Sequence, residues 1–251
     1  LNSLQSRRVA VLTIPALQYS IRPLLQQLEV SGIEVLLDES IEKEPYFSDL
    51  HRLVDYFTPF EPDTVLGIGG GSVLDIAKLL AALLGNEQSV HDVVGNGLLK
   101  KRTKKLICAP ATSGTGSEVS PNAILIDDAD GQKKGIISPL LLPDLVLVDP
   151  VLSISVPPAV TAATGLDALT HCIEAYTNKF SNPFIDLFAL EGIRLIAGNL
   201  VDAVLDGNNL VAREKLSMGS MQGGFCLGPV NTAAVHALAY PLGTMYHVAH
   251  G

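Results

Sequence analysis

The chain has no tryptophan, and Phe and Tyr together make up only 5% of its 251 residues. A surface that stacks bases or sugar rings is therefore poorly supplied. Positive charge is also short: Lys and Arg number 17 against 26 Asp and Glu, a formal net charge of -9. That balance excludes the broad basic face of a nucleic-acid-binding protein. The three cysteines, Cys108, Cys172 and Cys226, form no C-x-x-C pair and are too few for a disulfide framework. They read as small core residues in a reducing compartment. No apolar run reaches the 18 or so residues of a membrane span, so no membrane partner is expected. Ser6-Arg7-Arg8 followed by Val9–Leu17 has the outline of an export signal but no A-x-A cleavage site, and the expected location is the cytoplasm.

What is present is apolar and alternating. Hydrophobic residues make up 47% of the chain, enough for one large domain or two small ones with a real core. Strand signals at Val9–Thr13, Ile33–Leu37, Thr64–Ile68, Leu106–Ala109, Asn122–Asp127 and Leu145–Asp149 alternate with helical patterns at Tyr19–Ser31, Leu50–Phe57 and Val73–Leu84. This is the pattern of an α/β domain with a mostly parallel sheet. Beyond Asp149-Pro150 the patterns are helical only: a start at Pro157-Pro158, then Gly165–Tyr176, Phe184–Leu205 and Val211–Cys226. The expected organisation is an α/β domain over residues 1–153 and an all-helical domain over 154–251. Both ends read as truncated, so the helical domain is expected to be incomplete.

Two stretches of the α/β part are built to hold an anion. Gly69-Gly70-Gly71-Ser72 lies between a strand and a helix, where free backbone N–H groups and the helix dipole favour negative charge. It matches neither the G-x-G-x-x-G nor the Walker pattern, because Leu74 stands where the last glycine would be. Pro110-Ala111-Thr112-Ser113-Gly114-Thr115-Gly116-Ser117-Glu118 follows the strand Leu106–Ala109 and gathers small hydroxyls at the sheet edge where ligands bind in open α/β folds. Two such loops suit a dinucleotide. Lys133 and Lys134 lie in a polar hairpin.

The helical part carries nitrogen and oxygen ligands. Asp167 and His171 are four residues apart, on one face of a helix. His236, His247 and His250 crowd the end of the chain. On an unbroken helix His236 and His250 would be about 21 Å apart, but Pro241 and Gly243 allow the chain to turn. An aspartate with histidines and no thiolate suits Fe(II), Zn, Co or Ni rather than a cysteine-rich structural zinc. His51 and His91 have no partner pattern and are expected at the surface.

Together, Gly69–Lys78, Thr112–Glu118, Gly165–His171 and His236–Gly251 resemble, in order, the motifs of the iron-containing (group III) alcohol dehydrogenases. The resemblance implies an N-terminal α/β dinucleotide-binding domain, a C-terminal helical metal-binding domain and an active site in the cleft between them. It implies a metal, Fe(II) with Zn as the alternative, on Asp167, His171, His236 and His250. It implies NAD or NADP with its pyrophosphate on Gly70, Gly71 and Ser72. Asp75 would stand beside that pyrophosphate, Thr112, Ser113, Thr115 and Ser117 would line the cofactor, and Lys133 would lie near it. The implied reaction is hydride transfer between the nicotinamide and a small alcohol or its aldehyde or ketone, in a homo-oligomer. A dehydroquinate-synthase-like lyase and a metal-free maleylacetate-type reductase are the alternatives. Tyr240 stands where many members have a proton-relaying histidine, so Tyr240 or His247 would take that role. Ile14 stands where NAD-preferring members carry an aspartate, which leaves NAD and NADP both open.

Overall fold

The computed structural model describes residues 4–246. Its elements run β1 (Arg8–Leu12), α1 (Gln18–Val30), β2 (Glu34–Asp38), α2 (Phe47–Phe57), β3 (Thr64–Gly69), α3 (Gly71–Leu83), α4 (Val90–Val93), β4 (Gly95–Asn96), β5 (Lys105–Pro110), β6 (Asn122–Ile126), β7 (Lys133–Ile137), β8 (Leu145–Val146), α5 (Pro158–Thr177), α6 (Pro183–Leu205), α7 (Leu210–Leu227) and α8 (Ala234–Tyr246). The chain divides into two compact units, Leu1–Ala109 with Pro121–Leu147, and Pro110–Ser120 with Val148–Gly251.

The first unit is a mostly parallel five-stranded sheet in the order β2-β1-β3-β5-β8. Its central strand β3, Thr-Val-Leu-Gly-Ile-Gly, is buried at every residue, as a parallel strand covered on both faces must be. The helices show their position in their periodicity. In α2, Phe47, Leu50, Leu53 and Phe57 recur at three- and four-residue steps and are buried, while the other face is wet. By contrast α3 is buried from Val73 to Leu83 apart from Asp75, and even Lys78 is enclosed. The Lys78 Nζ donates to the Asn122 carbonyl at 2.7 Å, which offsets the cost of burying it.

A second, three-stranded sheet has the order β4-β7-β6. Lys133 and Lys134, which the sequence places in a polar hairpin, open strand β7 (Lys133–Ile137), antiparallel to β6 from Asn122↔Ile137 to Ile126↔Lys133. Pairing with an apolar partner makes a strand of residues whose own propensity is weak. Conversely the expected strand Leu145–Asp149 contracts to Leu145–Val146.

The second unit is helical, and among its described residues there is no strand beyond β8's end. Pro158 opens α5 at a position that has no use for an N–H, and the Asn182 side chain caps α6 by accepting from Phe184 and Ile185 N–H. Arg213, buried on α7, gives its donors to the Gly207 and Val156 carbonyls and the Thr161 hydroxyl, tying α7 to the start of α5. The helices approach closely through glycine. A Cβ on Gly192 of α6 would lie 2.5 Å from the Cys172 sulfur of α5, and one on Gly224 of α7 would lie 2.6 Å from the Gly116 carbonyl. Gly116 itself has φ +61°, a left-handed conformation that favours glycine. All three cysteines are buried thiols outside any disulfide. Burial pushes the thiols of Cys172 up to about 12 and Cys226 up to about 11.

Because the atom that Gly224→Ala would strike is backbone, the substitution should destabilise the chain by about 1–3 kcal/mol. Urea unfolding measures this, and an unchanged midpoint would refute the close contact.

Candidate metal centre and nucleotide turn

Asp167, His171 and Glu174 lie on one face of α5, at positions i, i+4 and i+7, and His236 lies in the first turn of α8. All four are almost enclosed, at 5%, 6%, 4% and 3% exposure. The His236 Nε2 stands 3.3 Å from the Asp167 Oδ1, the His171 Nε2 stands 3.8 Å from the same oxygen, and the two imidazoles stack with centroids 4.5 Å apart. One ligand atom from each of Asp167, His171 and His236 falls within 4.8 Å of the others. Ligands on a tetrahedral ion at about 2.1 Å are about 3.4 Å apart, so the spacing fits a bound metal with little adjustment.

Glu174 is the residue that sequence reasoning missed. Its Oε2 lies 2.6 Å from the His236 Nδ1, and its two oxygens accept the Ala233 and Val235 N–H at 2.9 and 2.6 Å. Its seven-residue spacing from Asp167 puts it on the ligand face, but only the contact with His236 gives it a role. Burial would raise the Glu174 pKa, but the N–H donors of Ala233 and Val235 and the His236 ring hold it below the usual value. Burial likewise works against charge on His236, yet its bonds to Asp167 and Glu174 raise its pKa. Charge bookkeeping points the same way. Two nearly buried carboxylates carry two negative charges, which His236 answers in part by its raised pKa and which a divalent cation would balance in full.

His247 and His250 lie outside the described residues. Tyr240 stands one turn beyond His236 on α8, and its side chain is likewise outside the description. His51 and His91 are exposed, with ring centroids 6.4 Å apart.

In the first unit the sheet order reverses between β1 and β3, the switch point at which open α/β sheets bind ligands. The glycine turn stands there. Gly69 ends β3, Gly70 is the N-cap and Gly71 opens α3, so the first N–H groups of α3 have no acceptor within the helix. A Cβ on Gly69 would meet Val73 at 2.7 Å, so glycine is what lets α3 start this close to the strand. Asp75 gives one oxygen to the Ile124 N–H at 3.0 Å and lies 3.9 Å from Lys78. Lys133 pairs with Glu44. Of the hydroxyl loop, Ser113 and Ser117 are buried and Thr112 and Thr115 are partly so. The Ser113 and Ser217 hydroxyls bond at 3.1 Å, and the loop belongs to the helical unit. At the same sheet edge β2 ends in Asp38, paired with Leu12 of β1. Asp38 thus supplies, one strand over, a carboxylate that is lacking at Ile14. Burial would raise its pKa, but Ser40 and Arg52 hold it lowered, with the Arg52 guanidinium 3.1 Å away.

Comparison with known proteins settles the family. The family model "Iron-containing alcohol dehydrogenase" matches residues 1–150, and the model of the family's C-terminal domain matches residues 161–251. The chain belongs to the iron-containing alcohol dehydrogenase family. Long-chain-alcohol dehydrogenase 1 of Geobacillus thermodenitrificans (strain NG80-2) is 41% identical over 227 residues, covering 89% of this chain and 57% of that protein. The crystal structure of a 1,3-propanediol oxidoreductase superposes with TM-score 0.95 at 33% identity, over 99% of this chain and 66% of that one. The sulfoacetaldehyde reductase from Bifidobacterium kashiwanohense, solved in complex with NAD+, superposes with TM-score 0.90 at 27% identity, over 98% of this chain and 66% of that one. The chain thus spans less than two thirds of the length of these family members. None of its described helices is long and apolar enough to cross a membrane.

A raised histidine pKa stabilises the fold below the ordinary value near 6.5, and this contribution is lost as pH rises through the folded value. With metal removed by chelation, His236→Ala should therefore cost more stability at mildly acidic than at alkaline pH. Paired urea titrations measure this, and a pH-independent cost would contradict the bonding described.

Proposed function

We propose that this chain carries the metal site and nucleotide turn of an NAD-linked alcohol dehydrogenase that interconverts a small alcohol and its aldehyde or ketone by hydride transfer. The buried Asp167–His171–His236 cluster carries this reading, since it fits a metal-dependent enzyme rather than a metal-free reductase. Asp167, His171 and His236 would hold the ion, with His250 as the fourth ligand that the family pattern implies. The donor set fits Fe(II) and Zn(II) alike, and the family favours iron. When bound, such an ion supplies Lewis acidity toward a substrate oxygen.

The chain's own residues do the rest. Their burial excludes water from the ligand cluster, which strengthens every electrostatic interaction there. The backbone N–H groups around Gly70, Gly71 and Ser72 receive the pyrophosphate, with Asp75, Thr112, Ser113, Thr115, Ser117 and Lys133 as the accompanying cofactor residues. Tyr240 and His247 are the candidates to move the alcohol proton. The relatives named above act on long-chain alcohols, 1,3-propanediol and sulfoacetaldehyde, so the shared chemistry is a primary alcohol–aldehyde pair. A homo-oligomer in the cytoplasm completes the reading.

Incubation of the chain with Fe(II) or Zn(II) followed by desalting should leave one metal per chain, and the Asp167→Ala/His171→Ala variant should retain none. Equal retention by the two proteins would overturn the ligand set.

Asp38 supports NAD over NADP. An acidic group at this edge hydrogen-bonds the adenosine ribose and repels a 2′-phosphate, whereas an arginine accommodates it. Asp38→Ala should leave Arg52 to face the added phosphate and shift the ratio of NAD to NADPH-type cofactor affinity toward NADP by at least about tenfold, roughly the effect of one lost or gained charged hydrogen bond. Fluorescence titration with both reduced cofactors measures it, and an unchanged ratio would remove Asp38 from the cofactor site.

A further inference from the structure

We propose that Glu174 is a positioning residue that holds His236 in the Nδ1–H tautomer and so presents its Nε2 toward Asp167 and His171. The inference rests on the metal reading above and adds to it a residue that supplies no ligand atom to the cluster.

The argument is one of donors and acceptors. Each oxygen of an ionised carboxylate only accepts hydrogen bonds. The Glu174 oxygens face three nitrogens, the backbone N–H of Ala233 and Val235 and the His236 Nδ1. Two of these are obligate donors, so the carboxylate is committed to accepting, and at 2.6 Å the Nδ1 must carry the proton. A neutral ring has one proton for two carboxylates, and it goes to the shorter contact, 2.6 Å to Glu174 rather than 3.3 Å to Asp167, which leaves the lone pair on Nε2. A metal-binding histidine whose other nitrogen donates to a carboxylate is oriented and made more basic by it.

Glu174 acts on the backbone just ahead of His236 as well as on its ring. Helix α8 begins at Ala234 with no acidic residue in its first turn. Its orphan N–H groups would ordinarily be met by a local cap, but here a carboxylate on α5 meets those of Ala233 and Val235. One side chain therefore sets where α8 starts and which nitrogen of its first histidine carries the proton. A glutamine cannot do both. With its oxygen toward His236 the NH2 group faces the Val235 N–H, and turned the other way it faces the Ala233 N–H and donates to Nδ1, forcing the proton of His236 onto Nε2.

The test compares the full chain with Glu174→Gln and with Glu174→Gln/Ala233→Ser, in which a serine at the start of α8 restores a local cap but no partner for the ring. The readouts are the His236 tautomer by 15N NMR of the metal-free protein at alkaline pH, amide exchange at Val235 and His236, and Zn(II) affinity by chelator competition. Glu174→Gln should lose the single Nδ1–H tautomer and weaken Zn(II) binding by about 10–100-fold. The double variant should regain amide protection but not affinity. Parent-like tautomer and affinity in Glu174→Gln would overturn the proposal, and so would full recovery of affinity in the double variant, which would make Glu174 a helix cap only. A parent that binds no Zn(II), yet whose tautomer depends on Glu174, would overturn the metal reading while supporting the positioning of His236.

Discussion

Two carboxylates buried among helices set the terms for the second unit. Asp167 and Glu174 lie one above the other on α5 with almost no access to water, and a carboxylate in that setting must be answered by hydrogen bonds and opposite charge. His236 answers both from one ring, and the start of α8 answers Glu174 through two backbone N–H groups. The position of α8 against α5 therefore follows from an electrostatic requirement. The same requirement makes a divalent cation a natural completion of the cluster.

Such a cluster is useful only if α5 cannot shift, and small residues provide that rigidity. Gly192 of α6 admits the Cys172 sulfur, and Gly223 of α7 stands against Cys172, the Ala168 carbonyl and the His171 Cβ. The stretch of α5 that bears His171 is thus clasped on two sides at near-backbone distance. Close-packed interiors deform little, so the ligand geometry is held by packing that carries no chemistry of its own. This division of labour explains why the helical unit is rich in glycine at positions where helix propensity alone would disfavour it.

In the first unit the corresponding constraint is topological. The sheet order places the end of β3 at the point of reversal, and the glycine run lets α3 begin immediately beyond it. Side chains there would meet Val73 or Ala77, so the turn is the condition for strand and helix to pack as closely as they do. Its free N–H groups follow from the same geometry that satisfies the packing. Asp38 reaches this edge through the register of β2 with β1, a feature no local window of residues contains.

The parts legible in the sequence were those whose signal is local. Strand–helix alternation, the glycine turn after an apolar strand, and Asp167 four residues before His171 all depend on spacings within one element, where the backbone's own periodicity dictates who shares a face. Glu174 was local too, three residues after His171, but an acidic residue on a helix has no distinct signature until its partner is known. That partner, His236, is 62 residues away. Likewise Lys133–Ile137 became a strand by pairing with β6 and β4, and the hydroxyl loop joined the helical unit through contacts such as Gly116 with Gly224 and Ser113 with Ser217. By itself the sequence determined the elements and the candidate ligands. Tertiary structure alone decided which distant groups meet, because burial and charge compensation act through space, and no spacing along the chain encodes them.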